Sequence, residues 1–263
     1  MRGWEWLGLL GLACTLGPGT GEDRDRDGFV AEVDSPFAVQ GSLLSVRALS
    51  DLTLRWADIR DNEVLSDNIN GGLIAMAFAR FSMTNAIVAG NTVGRPTASH
   101  VRGGFLWAAN PFGEPIVLEN VDVVSNTTLA SSPSELVGGV VWVEPVYGPL
   151  SPLRVINTSF VDNSANGGSS SLFEPGAGGC NWSYTNVHQT AGGASALPAC
   201  AGGPGNLDVA AGYTDTTSLD PLNWSLELAV GSSLVDAGDP GLVDADGSRS
   251  DIGAYGGPAG DDW

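Results

Sequence analysis

An all-β chain of stacked repeats is the fold class this sequence predicts, and three observations predict it. Composition comes first: 37 Gly and only 16% charged residues describe short strands joined by many turns rather than long amphipathic helices. Second, an octet recurs as "RWADIRDN", "TNAIVAGN", "ENVDVVSN" and "INTSFVDN", ending at Asn62, Asn91, Asn126 and Asn163 with spacings of 29, 35 and 37 residues. Third, a Gly pair with an apolar run follows three of these octets, as "GGLIAMA" from Gly71, "GGFLWAA" from Gly103 and "GGVVWVE" from Gly138. Periods of 20 to 50 residues with such internal grammar argue for a stacked repeat rather than a globular tangle.

Within the octet, the residue three before the Asn is apolar and β-branched or aromatic: Ile59, Val88, Val123 and Phe160. These positions are predicted to point inward and stack. Six before the Asn stand Trp56, Asn85, Asn120 and Asn157. Asn tolerates the left-handed backbone of a sharp bend, and its amide both donates and accepts. Both Asn rows, Asn85, Asn120 and Asn157 with Asn62, Asn91, Asn126 and Asn163, are therefore predicted to be structural, hydrogen-bonding along the stack. Trp56 interrupts its row, which places the first unit near an end.

Each unit holds about three short strand-like pieces and nothing that reads as a capped helix. A unit that small cannot bury its apolar side chains alone. If each wraps once around an axis and the next wraps on top, every strand pairs with its copy and like side chains stack inside. Variable spacing is then loop length at the turns. The prediction is a single elongated β-solenoid over residues 37–230, preceded by segments 1–21 and 22–36 and followed by a closing segment, 231–263.

At this point the chain resembles the right-handed parallel β-helix repeat proteins, the pectate-lyase-like superfold found in many secreted or surface-displayed bacterial proteins. The repeats that carry the resemblance run from about Leu52 to Asn186, with "NWSYTNV" as a degenerate fifth unit. A second resemblance lies in "GSSLVDAGDPGLVDADGSRSDIGAYGGP", Gly231 to Pro258, which is similar to the closing segment of secreted bacterial β-helix proteins. The resemblance implies fold. It leaves function open, because the same architecture carries lyases, hydrolases, adhesins and inert stalks.

Charge and the N-terminus narrow the partners. There are 30 acidic residues against 11 basic ones, all of them Arg, for a net charge of −19. Nucleic acid is excluded, since phosphate contacts need clustered Lys and Arg. The start, "MRGWEWLGLLGLACTLGPGTGED", has one Arg, an apolar run from Trp6 to Ala13 and then small residues, the order of an export signal. The run is too short to span a bilayer as a helix. Cys14 follows "LLGLA" as at a bacterial lipoprotein cleavage site, with Gly11 where Leu is usual. Cys180 and Cys200 are a candidate disulfide in an exported protein, against two buried free thiols.

Candidate sites are few. "DRDRDGFVAEVD" sets Asp23, Asp25, Asp27 and Asp34 at loop positions 1, 3, 5 and 12 around Gly28, the spacing of a calcium loop, with Asp where Glu is usual. Bound Ca2+ and an acidic solvated linker both stand as readings. Asp244, Asp246 and Asp251 form a second Asp-rich turn around Gly247, a weaker metal candidate. Its favoured reading is turn capping with pairing to Arg249, closing the edge of the last unit. Trp107 and Trp142 occupy equivalent places in "GGFLW" and "GGVVW"; stacked aromatics facing outward bind sugar rings, and core filling is the reading taken. No catalytic residues are assigned, because no run supplies clustered aspartates beside a base. His100 is placed in an inserted loop and His188 in a Gly-rich segment.

The reading is a non-enzymatic, exported bacterial scaffold, monomeric, at the cell surface or outside the cell, whose loops contact glycans or other envelope components. The alternatives are a polysaccharide lyase or glycoside hydrolase on the same fold and a fragment of a larger adhesin.

Overall fold

The computed structural model describes residues 39–40, 43–47, 51–77, 80–109, 116–144, 153–166, 172–174, 180–189, 197–198 and 201–260. Among these the chain is all-β: no α-helix occurs, and its short 3-10 turns include Pro133–Glu135 and Pro221–Asn223. The strands of successive repeats lie side by side and parallel in four sheets, as a β-solenoid requires.

Sheet 1 stacks Val39–Gln40, Asn68–Asn70, His100–Arg102 and Leu136–Val137. Sheet 2 stacks Leu44–Arg47, Ile74–Ala77, Leu106–Ala109, Val141–Val143 and Phe173–Glu174. Sheet 3 contains the long strands Arg80–Ala89 and Ile116–Val124. They are flanked by Asp51–Arg55 with Asp58–Arg60 on one side and by Leu153–Ile156 with Ser159–Val161, then Cys180–Ser183 with Asn186–His188, on the other. Sheet 4 stacks Glu63–Val64, Thr92–Gly94, Thr127–Leu129 and Ser164–Ala165.

The predicted inward column is present. Ile59 pairs with Val88, Val88 with Val123, Val123 with Phe160 and Phe160 with Val187, and all five lie in the main core. Phe160 stacks on Trp182 at 5.4 Å, and Phe173 meets both edge-on. Between sheets 1 and 2 the chain turns at Gly71, Gly103 and Gly138, each with positive φ. The glycine after each is just as constrained in space, since a Cβ on Gly72 or Gly104 would strike the carbonyl of the second glycine in the next repeat.

The Asn row at the ends of the octets forms a ladder along the stack. Asn62 Nδ2 donates to Asn91 Oδ1 at 2.8 Å, Asn91 Nδ2 to Asn126 Oδ1 at 2.8 Å, and Asn126 Nδ2 to Asn163 Oδ1 at 3.0 Å. Each Oδ1 also accepts the backbone N–H of the Asn below. Three of these amides also reach the carbonyl of an inward-column residue, Asn91 to Ile59, Asn126 to Val88 and Asn163 to Val123, whereas Asn62 donates to the Arg60 carbonyl. The octet's two marked positions are thus hydrogen-bonded to one another across repeats. The left-handed residue is the one before the Asn, namely Asp61, Gly90, Ser125 and Asp162.

Asn126 sits mid-ladder with four such bonds, whereas Asn62 lies at its end, where its buried Oδ1 has no partner among the described residues. Asn126→Ala leaves the two Asn91 donors buried and unsatisfied and is expected to cost ~3 kcal/mol in urea unfolding, while Asn62→Ala strands acceptors alone and costs ~1 kcal/mol. Equal losses would mean that the amide stack contributes nothing beyond burial.

Candidate functional site

The candidate site is the face of sheet 3 turned away from the core. Side chains alternate across a strand, so the neighbours of the inward column point outward. Two outward columns result, Asp58, Ile87, Asp122 and Ser159 in one and Arg60, Ala89, Val124 and Val161 in the other. The chain covers this face with its own C-terminal segment: Ile87, Ala89, Val124 and Val161 share a second apolar cluster with Ala211, Leu226, Leu234, Ile252 and Ala254. Within this segment Tyr213–Asp215 and Ser225–Leu228 pair antiparallel, unlike the repeats.

The second predicted Asn row fastens this cover. Trp56, Asn85, Asn120, Asn157 and Tyr184 all adopt positive φ at the same corner of successive units. Their side chains do not stack on one another as predicted; each turns to the C-terminal segment. Trp56 Nε1 donates to the Ala259 carbonyl, Asn85 Nδ2 to those of Ala254 and Gly256, and Asn120 Nδ2 to that of Gly256. Asn157 donates to Ser250 Oγ and accepts from the Asp239 N–H. Arg249 lies over the Tyr184 ring at 5.5 Å. Trp56 therefore continues the row rather than interrupting it. Arg60 adds a clamp at the first unit, donating to the carbonyls of Pro221 and Trp224 while its Nε holds Asp58 at 2.6 Å. The closing segment lies along several units rather than on the edge of the last one.

At the centre of the covered face stands Asp122, 1% exposed. Its Oδ1 accepts the Tyr213 hydroxyl at 2.7 Å and its Oδ2 the Ala254 N–H at 2.8 Å; Ser159 Oγ lies 3.3 Å from the same Tyr213 oxygen. Desolvation pushes the Asp122 carboxyl up to about 7, against the lowering pull of the two hydrogen bonds and of Arg60. Burial and the adjacent carboxylate push Tyr213 well above the usual phenol range. The sequence carried one sign of this site: a polar Asp interrupts "VDVV" where the unit before it has Ile87.

The Asp-rich turn of the closing segment spends its carboxylates on its own backbone. Asp244 accepts from the N–H groups of Asp251 and Gly257, Asp246 from the N–H and hydroxyl of Ser248, and Asp251 from the Asp236 N–H. Burial raises Asp251 to about 6. Arg249 does not pair with these aspartates; it donates to the carbonyls of Gly238 and Ala237. Among the described residues no group of three or more metal-ligating side chains is gathered. Asp23, Asp25, Asp27 and Asp34 lie outside the described residues, as does Cys200; Cys180 is disulfide-bonded.

Two further expectations need correction. Trp107 and Trp142 pair in register on the side of sheet 2 away from the core, forming a separate cluster with Ala75 and Ala109. The apolar flanks of both runs hid the strand's alternation. Arg102 stacks over Trp142 at 4.7 Å and Glu144 accepts from Trp107 Nε1, so neither indole is an open platform; they are 4% and 9% exposed. His100 belongs to a sheet 1 strand and contacts Asn70 Oδ1 at 3.1 Å. His188 ends a sheet 3 strand beside Asp208.

No family model matches the chain, and no match is found among curated proteins or solved structures.

The glycines of "DIGAYGGP" are explained by close approach. A Cβ on Gly253, where φ is +130°, would lie 2.9 Å from both carboxylate oxygens of Asp122, whereas one on Gly247, at φ +86°, meets nothing. Gly247→Ala carries only backbone strain, ~1 kcal/mol, while Gly253→Ala lifts the segment from its face. Limited proteolysis of the native chain should cut the 210–260 region faster in Gly253→Ala alone; equal cutting of both variants would refute the steric account.

Proposed function

We propose that the chain is a right-handed parallel β-helix of the secreted or surface-displayed bacterial type, serving as a non-enzymatic scaffold whose loops contact glycans or other cell-envelope components. The observation that carries the reading is the occupied outer face of sheet 3. A polysaccharide lyase or hydrolase on such a stack needs a solvent-open groove with a carboxylate and a base at the sugar. In this chain the groove position is filled by Ile252 and Ala254, and Asp122, the acid at its centre, has both oxygens bound to the covering segment.

Export is supported by the order of the N-terminal segment and by the disulfide at Cys180, which suits an oxidising compartment. Among the described residues no helix is long and apolar enough to cross a membrane. The acidic surface suits a soluble chain that does not associate with polyanions.

Purified protein incubated with polygalacturonate or alginate is expected to release neither unsaturated uronates nor new reducing ends. Product release that disappears in Asp122→Asn would overturn the scaffold reading in favour of a glycan-cleaving enzyme.

A further inference from the structure

Asp122 is a carboxylate placed where an anion is poorly served. Its strand neighbours across the stack are Ile87 and Ser159, and the cover above it is apolar apart from Tyr213. The charged and titratable groups around it come from every element packed here: Asp58 and Arg60 from the first unit, Asp162 from the corner of the fourth, Tyr213 and Glu227 from the antiparallel pair, and Tyr255 from the closing segment. Arg60 is the only cation among them, and its guanidinium is engaged by Asp58, Pro221 and Trp224. Both donors to Asp122 belong to the cover. With the cover lifted, the carboxylate stands on an outer sheet face and meets water.

A protonated Asp122 fits the closed geometry without rearrangement. Oδ2 keeps the Ala254 N–H, the carboxyl proton on Oδ1 is donated to the Tyr213 oxygen, and the Tyr213 hydroxyl turns its own proton to Ser159 Oγ at 3.3 Å. One hydrogen bond reverses and no buried polar atom loses its partner. We propose that the C-terminal segment is a proton-dependent latch: it closes over sheet 3 with Asp122 protonated, and opening it releases that proton.

The sign follows from linkage. The closed state holds its proton up to about 7 while the ordinary value is 3.8, so closed protein binds more protons than open protein between these limits. Closure is therefore strongest below the ordinary carboxylate range and weakens as pH rises to about neutral, beyond which it is constant. Opening bares Ile87, Ala89, Val124 and Val161 together with the amides of Asn85, Asn120 and Asn157, a face with apolar and hydrogen-bonding groups in register.

Hydrogen–deuterium exchange of the full chain, corrected for the intrinsic pH dependence of amide exchange, tests this. Protection of amides in 210–260 is expected to fall by about ten- to one-hundred-fold between pH 5 and pH 8, with Val88, Val123 and Phe160 unchanged. Asp122→Asn should remove most of the fall, leaving the smaller part that the raised Asp251 carboxyl contributes by the same linkage, and Asp251→Asn should keep most of it. A carbon-13 titration of the Asp122 carboxyl in the wild type, expected to ionise well above the ordinary carboxylate range, decides the matter should Asp122→Asn not fold. Flat protection in the wild type, an unaltered slope in Asp122→Asn, a slope abolished by Asp251→Asn, or an Asp122 carboxyl that ionises in the ordinary carboxylate range would each overturn the latch.

Discussion

In every repeat the chain must turn between the two halves of sheet 3, and it does so through one residue held in the left-handed region. Trp56, Asn85, Asn120, Asn157 and Tyr184 satisfy that backbone demand, and so form a straight column of side chains along the outside of the stack. Most of what distinguishes this molecule follows from that column. It supplies regularly spaced donors that the closing segment needs, and it explains why a row of corner residues can accept Trp and Tyr as well as Asn. What the column requires is a positive φ and something to offer the segment above: an indole N–H, an amide or a ring face.

The molecule thereby has two apolar interiors with different dependencies. The first lies among the four parallel sheets and is pinned by the Asn62 to Asn163 ladder, whose amides bond from each unit to the next. The second lies between sheet 3 and the closing segment, and a single carboxylate stands in its middle. Because Asp122 is fully solvated only when the second interior is open, proton binding acts on that interior and leaves the first untouched.

Short-range pattern in the sequence was sufficient for the repeats. The octet Asn residues stack, and Ile59, Val88, Val123 and Phe160 face the core in register, because both roles are set within one repeat and its neighbour. The partner of the other Asn row was not legible for the opposite reason. Asn120 bonds to a carbonyl 136 residues later, a relation that no periodicity encodes. The Trp107 and Trp142 facing was obscured because Leu106, Ala108, Val141 and Val143 are as apolar as the residues on the other side. Arg249 seemed a partner for nearby aspartates by proximity, yet those carboxylates already cap their own turns and the guanidinium finds carbonyls.

The direction in which the closing segment runs makes it a gauge. Residues 239 and 250 meet the corner of the fourth unit, 254 and 256 those of the second and third, and 259 that of the first, at sequence separations from 82 to 203. A chain emerging from its N-terminus lays down the corners first and the gauge last, so no part of the segment can be seated until the whole column exists. Its length is matched to a fixed number of repeats. A duplication or loss of one repeat would leave the stack itself in perfect register and be noticed only here, as a shortfall or surplus of one corner. An architecture that is open-ended in principle is thus matched to a set number of repeats by the segment that follows them.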